Sequence, residues 1–424
     1  MATDIPFWRK STGAEQRMAS LVRFLSTDCF EVRTFYLGPT ENEEYTLRDR
    51  ELIASNGLDV EQRASDQPPR HLLKKMGWYA GATKHQFQHW SKNRRNAETG
   101  SVSDPLESSS PPALKEYRWP WAISAFRESI EAFRPNSIII QYIKLDYLLE
   151  ALSYQRRNEI HCLIDTHDVL HLRAQQFRDR GFRHWIEISR EEEALSLAKF
   201  DSILAIQPDE ADLFREMVPE SRIIVCGHSV EPAVTPTLPT SRKNALTLGY
   251  LGSANASNAH AIESFLENVW RRLQTTPQAD QIRLIIAGGI CEWLTQPDRL
   301  QNADLANVQM LGRVEALNTF YDSVDVIVNP VEFGTGLKIK NCEAIGFGKP
   351  VLTTTHGNAG MPPETEPACR ICTNSNEFVE QVLGLAGDSG RLDQLQSIAT
   401  KLSQPGFSDQ RAYSELKRVL LQGK

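Results

Sequence analysis

The sequence of 424 residues lacks the marks of a secreted or membrane-spanning protein. Its seven cysteines are odd in number and scattered, which is typical of buried thiols in a reducing compartment. Cys369 and Cys372 form a Cys-x-x-Cys pair, but with no second pair or nearby histidine it gives little support to a metal or redox role. No apolar run reaches the roughly 18 residues that span a bilayer, and residues 1–13 lack a signal-peptide core. We therefore expect a cytoplasmic protein.

The chain also lacks a basic excess, since 47 Lys and Arg face 54 Asp and Glu for a net charge of −7. A general nucleic-acid binder usually carries such an excess, so no nucleic-acid partner is expected. No Gly-x-Gly-x-x-Gly follows a predicted strand with an acidic residue about twenty positions on, which disfavours a nicotinamide oxidoreductase. No Asp-x-Asp stands in a suitable loop, and we expect neither a metal nor another cofactor.

What the sequence does contain is a repeated alternation of short apolar runs and helical stretches. This rhythm predicts β-α units and an α/β fold with parallel sheets, and the length allows two or three domains. The proline-rich segment 231–244 is the best linker. We expect a first domain at 1–235 with an insertion at about 40–115, a second domain at 236–408, and a helix at 409–424 that packs back on the first. Two such domains hold a ligand in the cleft between them.

The apolar runs also give approximate element bounds. The predicted strands are Glu31–Leu37, Ser137–Tyr142, His161–Asp165, Ser202–Gln207, Arg222–Cys226, Leu246–Leu251, Ile282–Ala287, Val308–Leu311, Val324–Val328 and Pro350–Thr354. The predicted helices include Gly13–Leu25, Ala259–Leu273, Leu317–Tyr321, Leu337–Gly346 and Asp409–Leu421.

The most informative stretch is 329–348, NPVEFGTGLKIKNCEAIGFG. A strand leads into a loop containing Gly334 and Gly336, and the loop feeds a helix. Glycines allow a ligand to approach the backbone, and free N–H groups at a helix start form an anion site. Lys338 and Lys340 add positive charge. Glu343 lies seven residues after Gly336, about 10 Å along the helix, where a carboxylate could bind a ribose. Alone, the pattern fits equally well a plain strand–helix turn with a surface glutamate.

The run 246–361 resembles the C-terminal domain of retaining, family 4 type glycosyltransferases of the GT-B fold. The matching pieces are GYLGSANASNAHAIESFLENVW, IRLIIAGG, VQMLGRVEALNTFYDSVDVIVNPVEFGTGLKIKNCEAIGFGKPVLTT and the turn HGNAG. The resemblance implies two Rossmann-like doubly wound domains facing a central cleft. It also implies that a nucleoside-diphosphate sugar binds mainly to the second domain.

The family's donor motif is two glutamates, of which the second matches Glu343 and the first falls on Thr335. Glu332 could substitute for the missing carboxylate. Many relatives carry Arg and Lys after the first strand of this domain, where this chain has Ser253 and Ala259. We therefore expect other cations to meet the diphosphate. The full set of expected donor-site residues is Gly13, Gly252, Arg313, Glu332, Gly334, Thr335, Gly336, Leu337, Lys338, Lys340 and Glu343.

The first half of the chain matches the family more loosely. LIDTHDVLHLRAQQF (163–177) resembles the segment whose histidine lies near the reacting sugar. That histidine maps to His167, which the resemblance implies is catalytic, with Asp168 orienting it and Lys338 at the departing phosphate. The alternative is a histidine satisfied at a strand end. Arg173 could reach either substrate. The carboxylates of 189–214 are interpreted as surface charge. Only MATDIPF precedes the turn at Gly13, so the first strand is expected to be abbreviated or the sequence to begin late.

The implied reaction is transfer of a sugar to an acceptor hydroxyl with retention of configuration, in glycan or glycoconjugate synthesis. One rival is a nucleotide-sugar epimerase or phosphorylase-like enzyme, and another is a catalytically degenerate scaffold. The basic, aromatic segment 70–96 is either a peripheral membrane or acceptor-binding patch, or a solvated insertion. The acceptor is expected to be a glycan, a glycolipid or another hydroxyl compound.

Overall fold

The structure is a computed structural model that describes residues 1–27, 29–38, 43–63, 111–231, 245–296, 299–300, 304–314 and 316–423. The segment 70–96 and nearly all of the linker 231–244 lie outside the described residues.

The first domain is built on a parallel sheet in the order β3-β2-β1-β4-β5-β6-β7. Its strands are β1 (Ala2–Thr3), β2 (Arg33–Tyr36), β3 (Asp59–Gln62), β4 (Ser137–Gln141), β5 (His161–Asp165), β6 (Ser202–Ala205) and β7 (Arg222–Val225). The interior strand β1 is only two residues long, yet it pairs with both β2 and β4. Strands buried on both faces read as continuous apolar runs, and β4 and β5 show such runs in SIIIQ and HCLID.

The second domain repeats this plan with a parallel sheet in the order β10-β9-β8-β11-β12-β13. Its strands are β8 (Leu246–Leu251), β9 (Ile282–Ala287), β10 (Val308–Gly312), β11 (Val326–Asn329), β12 (Val351–Thr353) and β13 (Cys369–Ile371). The expected α/β class with two Rossmann-like domains is confirmed.

Helices connect and cover the strands of both sheets. In the first domain they are Gly13–Thr27, Glu43–Ser55, Pro120–Phe133, Tyr154–Glu159, Leu170–Asp179, Arg190–Leu197 and Pro208–Met217. In the second they are Ala256–Phe265, which continues through a π-helical turn to Leu273, then Ile290–Leu294, Leu317–Asp322, Ile339–Gly346, Thr355–Asn358, Ser375–Gly387 and Ser389–Gly406. Short 3₁₀ turns occur at Phe7–Arg9, Leu114–Tyr117, Ile143–Ala151, Ala279–Gln281 and Pro363–Ala368.

The last helix, Asp409–Gln422, lies on the first domain although it follows the second in sequence. Its apolar face joins a core cluster with residues of the helix Gly13–Thr27. The rings of Phe24 and Tyr413 are 5.2 Å apart, and Arg23 pairs with Asp409 at 2.7 Å. This helix therefore ties the end of the chain to its beginning.

Two parts of the structure differ from the sequence-based expectation. The region after Thr40, expected to be irregular, contains a helix and the edge strand β3, whose sequence DVEQ is too polar to be recognised as a strand. One edge strand of the second sheet, β13, was also missed. Within the described ranges, no helix combines the length and apolar character needed to cross a membrane.

Candidate active site

The glycine loop, residues 330–338, leaves strand β11 and leads into the helix Ile339–Gly346. Gly334 and Gly336 have φ angles of 104° and 80°, a conformation that glycine adopts without steric cost. A Cβ on Gly336 would lie 2.5 Å from Oδ1 of Asp168. The loop backbone thus packs directly against the first domain, and Gly336 is required for space as well as for conformation.

The N–H groups of Gly334 and Gly336 are not free, contrary to the sequence-based expectation. Gly334 donates to Oε1 of Gln176 at 2.7 Å, and Gly336 donates to Oε1 of Glu210 at 2.7 Å. Both acceptors belong to the first domain. The reason is burial: a loop enclosed between two domains must find partners for its N–H groups. The cleft is therefore closed on the glycine loop.

Lys338 lies beneath the same loop and binds its carbonyl oxygens. Its ammonium donates to the carbonyls of Gly334 at 3.0 Å and Gly336 at 2.8 Å. Burial lowers the pKa of Lys338 to about 8, and the carboxyls of Asp168 and Glu210 oppose that shift. The lysine holds the loop in shape and places a cation where the loop meets the helix.

Lys340, two residues on, faces the second domain. Its ammonium donates to Oδ1 of Asn258 at 2.7 Å and lies 4.6 Å from the centre of the Tyr250 ring. Burial lowers the pKa of Lys340 to about 7. An added anion would restore the charge on this amine, because a nearby opposite charge favours the ionised form.

Glu343 is buried at 6% exposure rather than displayed on the surface. The Tyr321 hydroxyl donates to its Oε2 at 3.3 Å, and the Tyr321 ring stacks on Phe347 at 4.4 Å. Burial raises the pKa of Glu343 to about 7. This arrangement contradicts the surface-glutamate alternative. Tyr321 was missed from the sequence, because nothing in the run LNTFYD distinguishes it from an ordinary core aromatic.

Two of the predicted donor-site residues have exposed side chains. Arg313 pairs with Glu292 at 2.8 Å on the surface. The Glu332 side chain is exposed, and only its backbone carbonyl is engaged, by the guanidinium of Arg180 at 3.2 Å. Neither side chain lies among the buried groups of the glycine loop, and a role for either in donor binding stays a prediction.

The remaining donor-site predictions fall close to the cleft. Gly13 begins the first long helix, and a Cβ there would meet Cδ1 of Ile339 at 3.4 Å. Gly252 follows β8, where its N–H donates to Ala287 O at 3.0 Å. Leu337 packs at the edge of a core cluster of the second domain. The Gly13 contact brings the start of the first long helix against the first turn of the helix that bears Glu343.

His167 follows β5 with a φ angle of 62°, which is unusual for a residue other than glycine. Its ring stacks on Tyr142 at 4.3 Å, and Tyr142 also has a positive φ, 65°. His167 Nε2 lies within hydrogen-bonding distance, 2.6 Å, of Oε1 of Gln141. Burial lowers the pKa of His167 to about 4, which leaves the ring neutral. Such strained residues persist at sites where the surrounding structure fixes them.

Asp168 does not orient His167, and that prediction is wrong. Its Oδ1 accepts from Thr335 Oγ1 at 3.2 Å and from Arg173 Nη1 at 3.2 Å. Arg173 also donates to the carbonyl of Thr335 at 3.3 Å. The Asp168 side chain thus points across the cleft toward the glycine loop. Thr335, at the position of the missing motif glutamate, thereby links the two domains.

A buried ion pair supports the end of β5. Arg17 and Asp165 are fully buried and 2.6 Å apart. Arg17 also donates to the carbonyls of Cys226 at 2.8 Å and Gly227 at 2.7 Å. A buried pair persists when its remaining hydrogen-bonding groups are satisfied. It anchors the strand from which His167 emerges, and sequence spacing gave no sign of it.

The carboxylates of 189–214 are not all surface charge, and for two of them that interpretation is wrong. Glu193, 1% exposed, accepts from the N–H groups of Leu170 and His171 at 2.9 and 2.8 Å, and so caps the helix that follows His167. Glu210, 3% exposed, reaches the glycine loop. Both lie on the inward faces of short helices whose patterns were too weak to reveal it.

Aromatic rings close the outer side of the cleft. Phe333 of the glycine loop stacks on Phe182 at 5.5 Å and meets the edge of Phe177 at 5.1 Å. The Arg180 guanidinium lies 4.8 Å from the Phe333 ring. These contacts cross between the domains and exclude water from the buried polar groups behind them.

The comparisons with known proteins agree with this architecture. The structure of HepE from Anabaena in complex with UDP and glucose superposes with a TM-score of 0.62 at 13% identity, covering 99% of this chain and 98% of that one. Sucrose-phosphate synthase from Thermosynechococcus elongatus gives 0.58 at 16% identity, covering 90% and 93%. The two parallel-sheet α/β domains of this chain therefore have the GT-B fold of these neighbours.

Residues 245–388 match the family model described as Glycosyl transferases group 1. The matched residues lie in the second domain. A protein of Klebsiella pneumoniae, described as an uncharacterized 44.6 kDa protein in the cps region, is 22% identical over 223 residues, 52% of this chain. The match spans 56% of that relative, just over half of its length.

Proposed function

We propose that this protein transfers a sugar from a nucleoside-diphosphate sugar to an acceptor hydroxyl, with retention of anomeric configuration. The observation that carries the proposal is the buried Glu343 beside Lys340, two turns beyond a glycine loop whose carbonyls hold Lys338. The glycosyl transferases group 1 match covers this whole region.

On the donor side, the diphosphate would take the place of first-domain groups at the loop N–H donors. Lys338 and Lys340 would offset its charge, and their lowered pKa values would rise as they meet an anion. Glu343, held by Tyr321, would accept hydrogen bonds from the two ribose hydroxyls. Donors preorganised around the departing phosphate stabilise the charge that develops there.

On the acceptor side, the neutral His167 would hydrogen-bond a hydroxyl of the transferred sugar. Asp168 and Lys338 would complete the wall of the cleft near the reacting centre. The acceptor oxygen would attack from the face that the nucleotide leaves, its proton passing to a phosphate oxygen of the donor. Closure of the domains would exclude water and limit donor hydrolysis.

The relatives guide the choice of substrates to test. The Anabaena protein has been captured with UDP-glucose, which makes uridine the first donor base to try. The Klebsiella relative comes from a cps region, which supports a polysaccharide or other glycan acceptor. A cytoplasmic location, with peripheral membrane contact through 70–96, remains part of the proposal and can be tested by vesicle binding.

Product analysis tests the reaction itself. The protein is incubated with UDP-, GDP-, ADP-, dTDP- and CDP-sugars and a panel of oligosaccharide and glycolipid acceptors. Released nucleotide and the anomeric proton of the product are followed by NMR. We expect one base to support transfer, with the donor's anomeric configuration kept. An inverted product would exclude retention. Isomerised donor without transfer would favour an epimerase, and nucleotide binding without any turnover would favour a degenerate scaffold.

A further inference from the structure

Glu210 occupies the part of the glycine loop where a donor phosphate is expected. It is the third residue of the helix Pro208–Met217, and its Oε1 accepts from the Gly336 N–H at 2.7 Å. One N–H cannot serve this carboxyl and a phosphate oxygen at the same time. The carboxyl and the phosphate oxygen therefore compete for one donor.

The surroundings of Glu210 fit a displaceable contact rather than a permanent one. Its Oε2 is buried without a hydrogen-bond partner among the described residues. A structural carboxylate would normally satisfy both oxygens, since burying an unpaired polar atom is costly. Burial, and then the Asp168 carboxyl, raise the pKa of Glu210 to about 8. The ionised form of the Glu210 carboxyl is thus disfavoured by burial, and one of its oxygens lacks a hydrogen bond within the part of the chain that the structure describes.

The charges facing Glu210 come from both domains. Asp168 opposes its ionisation, whereas Lys338 of the glycine loop and Arg17 of the first helix favour it. A diphosphate placed at Gly336 would meet Asp168 and Glu210 together. A donor that must displace the Glu210 carboxyl from this N–H binds less tightly, so removal of the carboxyl should strengthen donor binding.

We propose that Glu210 is an internal competitor of the donor diphosphate: it holds the Gly336 N–H while the site is free of donor, and donor binding displaces it. This inference rests on the proposed function, because it takes the glycine loop as the phosphate site. Glu210 would then set donor affinity and couple domain closure to donor binding.

The test compares Glu210→Ala and Glu210→Gln with Asp209→Asn, which removes a neighbouring exposed carboxylate. Dissociation constants for UDP, GDP, ADP, dTDP and CDP are measured by calorimetry at one salt concentration. For the nucleotide that binds, we expect about tenfold tighter binding in Glu210→Ala, a smaller gain in Glu210→Gln, which keeps an acceptor oxygen, and no change in Asp209→Asn. Without nucleotide, amide exchange at 334–338 should be faster in Glu210→Ala only.

The outcomes separate this inference from the function beneath it. Equal or weaker nucleotide binding in a folded Glu210→Ala protein, judged by its thermal midpoint, overturns the competitor role and leaves the proposed function standing. Unchanged amide exchange does so too, since the carboxyl would then not hold the loop. No binding of any nucleotide by any variant contradicts the proposed function and this inference with it.

Discussion

The two domains meet the cleft with the same backbone conformation but with different residues. After β4 and β5 of the first domain, the positive φ angles belong to Tyr142 and His167. In the glycine loop of the second domain they belong to Gly334 and Gly336. A residue with a Cβ in this conformation costs roughly 1–3 kcal/mol, whereas glycine adopts it freely. The first domain therefore uses the conformation to aim side chains, and the second uses it to bring its backbone close to a neighbour.

The largest expected effect concerns the side chain that the first domain directs into the cleft, that of His167. His167→Ala should lower kcat about 100-fold, within the range for a lost group at the reacting centre. It should leave the dissociation constant of the nucleotide within about twofold, because the donor loop is untouched. Kinetics and calorimetry on the same preparation check this split.

His167→Gly provides the control for backbone strain. Glycine accepts the positive φ, so this variant should melt above His167→Ala while losing the same catalytic rate. A kcat close to wild type in both variants would mean that His167 has no catalytic role and only makes hydrogen bonds within the protein at the end of a strand.

The second prediction tests the close approach of the glycine-loop backbone to the first domain. Gly336→Ala should destabilise the protein by about 2–4 kcal/mol, because its Cβ would add a clash with Asp168 to the strain. Gly181→Ala is the matched variant, since Gly181 has a φ of 73° with nothing within 4 Å of an added Cβ. It should cost only about 1 kcal/mol. Thermal midpoints measure both changes, and equal shifts would mean that the contact with Asp168 is unimportant.

The strands differ in how well their bounds could be predicted from the sequence. Strands β5, β8 and β9 coincide with their predicted bounds, because strands buried on both faces are continuous apolar runs. The edge strands β3 and β13 carry weaker patterns and were missed.

The residues of the candidate site could likewise be predicted only where they lie close together in the sequence. The glycine loop and Glu343 are local in sequence, and the family resemblance together with their spacing predicted them as parts of one site. Glu210 reaches Gly336 across 126 positions, and Arg17 reaches Asp165 across 148. Such partners depend on how the sheets are assembled, which no local pattern records.

The third prediction separates buried from surface cations. Lys338→Ala should weaken nucleotide binding about 10- to 100-fold, as expected for a lost charge-assisted contact of about 1.5–3 kcal/mol. Arg313→Ala should change it less than about twofold, because Arg313 pairs with Glu292 on the surface. Calorimetry decides between them. If Lys338→Ala and Lys340→Ala both bind nucleotide normally, the phosphate assignment is wrong.

The smallest expected effect is on pH. Burial lowers the pKa of Lys338 to about 8 and of Lys340 to about 7, and raises that of Glu210 to about 8. As the pH rises from 7 to 9, the lysines lose positive charge and Glu210 gains negative charge. Both changes disfavour an anion, so nucleotide affinity should fall about three- to tenfold. Binding that strengthens with pH would contradict this account.

The central claim, that the second domain binds a nucleoside diphosphate through the glycine loop and Glu343, is tested most directly by thermal stabilisation. Wild type and Glu343→Ala are melted with UDP, GDP, ADP, dTDP and CDP. A ligand at 100 times its dissociation constant stabilises the folded state by about 2.7 kcal/mol. We predict a shift with one nucleotide that is largely lost in Glu343→Ala. No shift with any of the five, or an equal shift in both proteins, would contradict the account.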